Sequence, residues 1–183
     1  MATGDSEPNV KTGSSKTAST NAVGRRAAAR LAAVQALYQI EITGLAVDQA
    51  IAQFLAGEAP RTDIEDGPVA VLPAPDPELF AAIVGGVVAH RDRLDEIIGA
   101  ALSIAWTVER LEILVRLILE AGVFELTFRD DIPPKVSINE YVNVANAFFD
   151  GAEPGLINGV LDSVATPPVA GPPGAGPVTQ GGA

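Results

Sequence analysis

The chain has 183 residues, no cysteine and a formal net charge of −11 at pH 7. The lack of cysteine excludes disulfides, thiolate metal sites and a cysteine nucleophile, and it fits a cytoplasmic protein. Apolar residues make up 48 % of the chain, enough for a sizeable core, yet no window approaches the roughly eighteen uninterrupted apolar residues of a membrane-spanning helix.

The charge is unevenly distributed. The first thirty residues carry five basic and two acidic side chains, whereas the remaining 153 residues carry 7 basic and 21 acidic ones. A local basic site on an acidic body is therefore compatible with a nucleic-acid partner, although the net charge alone argues against one.

The N-terminal half is predicted to begin with a disordered polar tail over residues 1–20. A helix over residues 22–42 follows, with Thr20 or Asn21 as its cap and Gly44 at its end. Its buried stripe is expected to contain Leu31, Val34, Tyr38 and Ile42. A short helix begins at Asp48, and residues 57–77, with five prolines, form a long loop.

The C-terminal half is also helical in its periodicity. Asp76-Pro77-Glu78 is a helix start, and Gly85-Gly86 indicates either a bend or close packing, so one or two helices follow. Further helices are predicted from Thr107 or Glu109, from the stretch after Pro134, and from Pro154. Residues 167–183 form a disordered Pro/Gly tail. The folded part, residues 21–166, is thus predicted to be an all-α bundle of six or seven helices.

The stretch "KVSINEYVNVANAFF" (residues 135–149) is polar where a helix face should be buried. Ser137-Ile-Asn-Glu140 has the spacing of a capping box, in which the two side chains satisfy each other's backbone NH groups. A catalytic role for Ser137 and Glu140 is the alternative. Capping is preferred because His90 is the only histidine, remote in sequence, and no nucleophile elbow is present. His90 also lacks a second ligand at metal spacing, so no metal site is predicted.

Three stretches together resemble the NusB family of bacterial transcription antitermination factors. "RRAAARLAAVQALYQ" is similar to its arginine-rich first helix, "PPKVSINEYVNVANAFF" to its P-x-K-V-x-I-N-E helix, and "LINGVLDSVA" to its closing helix. The resemblance spans residues 22–165. It implies an all-helical fold of two small subdomains, no enzymatic activity and no cofactor. It also implies pairing with the ribosomal protein NusE, binding to boxA RNA of nascent rRNA transcripts, and action within the RNA polymerase antitermination complex.

The candidate contacts follow from what single-stranded RNA requires, namely cations for phosphates and planar or polar groups for bases. Arg25, Arg26 and Arg30 supply cations at the start of the first helix, and Lys135 supplies another. Gln35 either reads base edges or is simply solvated. Tyr38 is expected in the core, with a stacking platform for bases as the alternative. Asn139 and Glu140, with Asn158 and Gly159, are candidate partner-binding or structural positions. Close helix approach is the expected use of Gly159.

The chain also departs from the family pattern. Alanines separate its arginines, Glu120 stands where the family often has Arg, and Asn146 where Lys is common. These changes predict weak RNA affinity without NusE, whose basic character would suit an acidic face. Two alternatives stay open: a helical interaction module without an RNA role, and an accessory domain like those of rRNA methyltransferases.

Overall fold

The computed structural model describes residues 14–57, 73–102 and 107–166, without the side chains of residues 14–20 and of Glu109. These ranges contain six α-helices, a short 3-10 helix and no strand: α1 (Ser14–Thr43), α2 (Val47–Leu55), α3 (Pro77–Ala101), the 3-10 helix (Val108–Arg110), α4 (Ile113–Phe128), α5 (Pro134–Asn146) and α6 (Glu153–Ala165). The predicted all-α class is confirmed. Residues 1–13, the predicted tail over 167–183 and most of the predicted loop (residues 58–72) lie outside the described residues, whereas residues 14–20, expected in a disordered tail, are helical.

Local signals explain several helix ends. Asp76 caps α3, because its carboxylate accepts hydrogen bonds from the backbone NH groups of Glu78 and Leu79, both at 3.1 Å. Gly44, with φ of +69°, follows the end of α1 as expected. However, α1 begins at Ser14 rather than at residue 22, so neither Thr20 nor Asn21 is its cap. The helix expected from Thr107 begins instead at Ile113, after the 3-10 helix.

Helix α4 lies at the centre of the described fold. It packs against α1 and α3 on one side and against α5 and α6 on the other. Its residues 117–125 are all buried, because neighbours cover it on every face. The most extensive helix contact is the one between α3 and α4, so the described helices pack around α4 without a division into two separate groups.

Two glycines allow helices to approach closely. A Cβ on Gly86 would overlap the ring of Phe124, and one on Gly122 would lie 2.8 and 3.0 Å from the two methyl carbons of Leu161. Helix α3 is continuous through Gly85-Gly86, so that pair marks close packing and not a bend. At Gly159 a Cβ would meet no described atom within 4 Å. The expectation of close helix approach at Gly159 is therefore wrong.

Glu120 belongs to a buried charge cluster. Its carboxylate lies 3.0 Å from Nε of Arg116 and 3.5 Å from Nε of Arg91, and both arginines also contact Glu41, at 3.3 and 2.7 Å. Burial raises the pKa of Glu120 to about 7, Arg91 and Arg116 oppose that rise, and Asp95 adds to it. Glu120 is fully buried. It therefore cannot weaken RNA binding at the surface in the way its replacement of an arginine suggested.

No helix in the described ranges combines the length and apolar character needed to cross a membrane.

Candidate nucleic-acid interface

Two solvated arginines lie on the first turns of α1 whose side chains the structure describes. Arg25 and Arg26 are both exposed. The backbone around them is fixed, because the carbonyl of Arg25 accepts a 3.0 Å hydrogen bond from the NH of Asp76 and because Gly24 lies against the ring of Pro73. Two cations are thus held on a well-packed helix and point into solvent, the arrangement that phosphate binding requires.

Arg26 belongs to a small surface cluster. One Nη of Arg26 lies 3.9 Å from the Asp131 carboxylate, which also accepts two hydrogen bonds from Arg129, at 2.8 Å from Nε and 3.0 Å from Nη2. The hydrogen bonds from Arg129 lower the pKa of Asp131, and those same bonds raise the pKa of Arg129. Arg129, at the end of α4, is not among the residues that the sequence motifs indicate. Its only sequence signal is its position two residues before Asp131.

Arg30 lies in the core and not at the surface. Its side chain is 2 % exposed, and its guanidinium donates to Glu125 through Nη2 at 2.8 Å and Nε at 3.0 Å. Burial acts to lower the pKa of Arg30, but the hydrogen bonds and charge of Glu125 outweigh it and raise the pKa. The direct phosphate contact predicted for Arg30 therefore does not occur in this structure, because the guanidinium is buried and already bound to Glu125.

Ser137 and Glu140 do not form a capping box. A capping box would make Ser137 the N-cap and Ile138 the first helical residue, but α5 begins four positions earlier, with Pro134 in the first helical position. The Ser137 hydroxyl turns inward and donates to Glu125 at 2.6 Å, while Glu140 accepts from Arg30 at 3.3 Å. The two residues instead help join α5 to α4 and α1 through the Arg30–Glu125 pair.

Tyr141 completes this network, which we call the Glu125 cluster: Arg30, Glu125, Ser137, Glu140 and Tyr141. Its hydroxyl lies 3.4 Å from Glu125, and the side chain is fully buried. Burial and the charge of Glu125 raise the pKa of the Tyr141 phenol well above its usual range, so it remains a neutral donor. The cluster is a hydrogen-bonded buried ion pair, which fixes the middle of α1 against α4 and α5.

Gln35 lies on another part of α1. It is exposed and half a turn out of phase with Arg26, since nine residues are two and a half helical turns. It borders an open groove of about 620 Å³. The groove runs along α1 between α2, the start of α4 and the segment after α5, and its walls are mostly apolar: Gln35, Tyr38, Gln39, Ile42, Thr43, Phe54, Glu112, Ile113, Leu114 and Phe148.

Tyr38 lines this groove and is 44 % exposed, so its expected place in the core is wrong. The buried face of α1 contains Val34, as predicted, together with Arg30, Leu37 and several alanines. Ile42, also expected in the buried stripe of α1, is exposed at the groove, and Phe148 is exposed there too. The periodicity of the sequence placed Tyr38 and Ile42 on one helix face. Only the structure shows that no described helix covers that part of the face.

The other predicted positions are scattered. Lys135 and Asn139 are exposed on the first turns of α5, next to the turn that carries Asp131. Asn158 is exposed on α6 and donates to Asp162 at 3.0 Å, one turn later in the same helix. The structure therefore places Arg25 and Arg26 at the surface of α1, Lys135 at the surface near the start of α5, and Asn158 and Gly159 at the surface of α6.

His90 stacks on Phe128, with ring centroids 4.4 Å apart. In the part of the chain that the structure describes, no three His, Asp or Glu side chains are grouped to hold a metal ion.

The described ranges thus define an all-helical protein with two exposed arginines within α1 and an open, mostly apolar groove further along the same helix. Comparison with known proteins identifies its family. The profile of the NusB family matches residues 27–166. The chain belongs to the NusB family.

Curated relatives and solved structures agree with this assignment. The transcription antitermination protein NusB of Rhodospirillum rubrum is 48 % identical over 153 residues, which cover 77 % of this chain and 83 % of that protein. The protein of the same name from Caulobacter vibrioides is 45 % identical over 145 residues, covering 79 % and 95 %. The structure of T. maritima NusB superimposes with a TM-score of 0.62 at 25 % identity, covering 76 % of this chain and 89 % of that one. A second structure, that of the antitermination factors NusB and NusE in complex with dsRNA, shares the fold with a TM-score of 0.60 at 22 % identity, covering 80 % and 96 %.

Proposed function

We propose that this protein is an RNA-binding transcription antitermination factor that pairs with NusE and binds boxA RNA in nascent transcripts. The observation that carries the proposal is the pair of exposed arginines, Arg25 and Arg26, which lie on α1 about three turns after its first residue, while the later part of the same helix borders an open, mostly apolar groove. The names of the curated relatives support antitermination as the process. The structural relative in complex with NusE and dsRNA supports NusE and RNA as the partners. The proposal assigns no catalytic role to any residue.

Helix α1 provides the track for the RNA. Arg25 and Arg26 bind phosphates, and Lys135 adds a third cation from the start of α5. From Arg25 to Tyr38 the helix rises roughly 20 Å, at about 1.5 Å per residue. Because ten residues separate Gln35 from Arg25, the two side chains lie within about a quarter turn of each other on the helix surface. A single strand that contacts Arg25 can therefore continue along the same side of α1 to Gln35.

The groove suits bases better than phosphates. Its walls are apolar, and Tyr38 and Phe148 present partly exposed rings on which bases can stack. Gln35 and Gln39 supply amide donors and acceptors for base edges, and Gln39 is held by a 3.4 Å hydrogen bond to Gln53. The cations thus position the strand and the groove contacts its bases.

The acidic remainder of the chain suits a basic protein partner. Since NusE-type ribosomal proteins are basic, charge complementarity favours docking on the acidic surface and leaves Arg25 and Arg26 free to bind RNA. On this account the protein alone binds RNA weakly, and the complex with NusE binds it more tightly.

The test is a salt titration of labelled boxA RNA binding to the complex with NusE. Arg25→Gln, Arg26→Gln and Lys135→Gln should each weaken binding and reduce the slope of log K against log salt by about 0.7, the value for one phosphate contact with a single strand. Tyr38→Ala should weaken binding with no change in slope, because stacking releases no counterion. Arg93→Gln is the matched control, since Arg93 is exposed on α3 and forms a local ion pair with Glu96, at 2.8 Å. No binding by the wild-type complex would refute the proposal.

A further inference from the structure

The Arg26–Asp131–Arg129 cluster has an unusual composition for a site that should attract RNA. Its two arginines converge on one carboxylate, and that carboxylate is half exposed, at 52 %. Arg129 binds it with two parallel hydrogen bonds, at 2.8 and 3.0 Å, the fork geometry with which a guanidinium also binds phosphate. Arg26 approaches the same carboxylate only to 3.9 Å, too far for a hydrogen bond.

We infer that Arg129 and Arg26 together form a phosphate-binding site of the RNA surface, and that Asp131 occupies this site as an internal anion when RNA is absent. The inference rests on the proposed function and adds a residue, Arg129, and a competitor, Asp131, that neither the sequence motifs nor the relatives' names identify.

The exchange of anions is favourable because the internal ion pair is weak. A solvent-exposed ion pair contributes at most a factor of about five to an equilibrium, since water screens it and the side chains lose entropy. Both oxygens of the Asp131 carboxylate accept hydrogen bonds from Arg129. The guanidinium of Arg26 is left without a hydrogen bond to any described residue. A phosphate has more acceptor oxygens, so it can accept hydrogen bonds from the guanidinium groups of Arg26 and Arg129 at the same time. Asp131 can then turn into solvent, because no described residue other than the two arginines forms an ion pair with it.

The location supports RNA as the source of the phosphate. Arg26 follows Arg25 on the exposed side of α1, and Lys135 lies in the first turn of α5, just after the turn that carries Asp131. Arg129 therefore extends a cationic surface that already exists, with Asp131 as the acid that partly neutralises it.

The decisive variant is Asp131→Asn, and its matched control is Asp130→Asn. Both remove one negative charge from adjacent positions, but Asp130 has no ion-pair partner among the described residues. With the NusE complex and labelled boxA RNA, Asp131→Asn should tighten binding by about three- to fivefold, the range that corresponds to the loss of one exposed ion pair. The salt slope should become steeper by up to about 0.7. Asp130→Asn should change affinity by less than about twofold.

Two further variants separate the site from its charge. Arg129→Gln should weaken binding and make the salt slope shallower by about 0.7. The double variant Arg129→Gln/Asp131→Asn has the net charge of the wild type but lacks the arginine pair. Its RNA affinity should therefore stay within about twofold of that of the single variant Arg129→Gln. Equal gains from Asp131→Asn and Asp130→Asn, or an unchanged affinity for Asp131→Asn, would overturn the inference.

A second measurement does not depend on boxA RNA. In Asp131→Asn, addition of inorganic phosphate should shift the NMR signals of the Nε–H groups of Arg129 and Arg26 and leave that of Arg93 in place. Absence of such a shift would overturn the anion site itself. Lack of RNA binding by the wild-type complex together with a phosphate shift would refute the proposed function but retain the site.

Discussion

Replacing Arg30 distinguishes a core residue from an RNA contact more sharply than any other change. Arg30→Met removes the guanidinium but keeps an unbranched side chain of similar reach. It leaves Glu125 fully buried and charged, without the two hydrogen bonds of 2.8 and 3.0 Å that compensate it. Loss of one partner of a buried ion pair costs about 3–5 kcal/mol, because the remaining charge stays desolvated.

That cost is a large part of the total stability of a domain, which is about 5–15 kcal/mol. For a chain of this size it corresponds to a fall in melting temperature of roughly 6–20 °C, at about 2–4 °C per kcal/mol. The assay is urea unfolding monitored by circular dichroism, with Arg93→Met as the exposed control, expected within about 0.5 kcal/mol of the wild type. Adding Glu125→Gln to Arg30→Met should recover part of the loss, because it removes the uncompensated charge.

RNA binding provides the second readout for the same variant. At a temperature where Arg30→Met is folded, the salt slope of boxA binding should equal that of the wild type, because Arg30 neutralises no phosphate. The reasoning would be refuted if Arg30→Met unfolded within about 0.5 kcal/mol of the wild type while its salt slope fell by about 0.7.

Three further predictions concern stability. Ser137→Ala should cost about 1.5–3 kcal/mol in urea unfolding, as expected for a buried hydrogen bond to a charged group; a loss below about 1 kcal/mol would favour a simple cap. Because the folded-state pKa of Glu120 is about 7 against an unfolded value of 4.5, the native state binds the extra proton between these values, and its stability falls as pH rises through that window. The unfolding free energy of the wild type relative to Glu120→Gln should thus drop by about 3 kcal/mol from about pH 4.5 to about pH 8, and a difference that does not vary with pH would contradict this. Gly122→Ala should destabilise the protein by about 1–3 kcal/mol, because the added methyl group would meet Leu161. Gly159→Ala, at an open position of α6, should stabilise the protein by about 0.5–1 kcal/mol. Similar melting temperatures for the two variants would contradict the packing described.

The features that sequence reasoning predicted well are those with local causes. The α3 start at Asp76 and Pro77 depends on backbone groups two and three residues away, so the sequence contains the whole interaction. Gly44 ends α1 for a similarly local reason. The helical class followed from periodicity, and the family resemblance followed from the motifs in order.

The features that it missed depend on partners distant in the chain. Arg30 looked like a surface cation because its partner, Glu125, is 95 residues away. Ser137 and Glu140 have the spacing of a capping box, but that spacing also points one side chain toward Glu125 and the other toward Arg30. Tyr38 fits an apolar stripe, and only the arrangement of α2, α4 and α5 shows that this stripe borders an open groove. Arg129 belongs to no recognisable sequence motif. Its proximity to Arg26 arises from the packing of α4 on α1, which the sequence does not show.

The central claim is that Arg25 and Arg26 on α1 bind RNA, and one comparison tests it most directly. Fluorescence anisotropy of labelled boxA RNA is measured against salt for the NusE complex with wild-type protein, with Arg25→Gln/Arg26→Gln, and with Arg93→Gln/Arg110→Gln as the control of equal charge. The account predicts that the first double variant weakens binding and lowers the salt slope by about 1.4, for two lost phosphate contacts, and that the control changes the slope little. Equal slopes for all three proteins would contradict it.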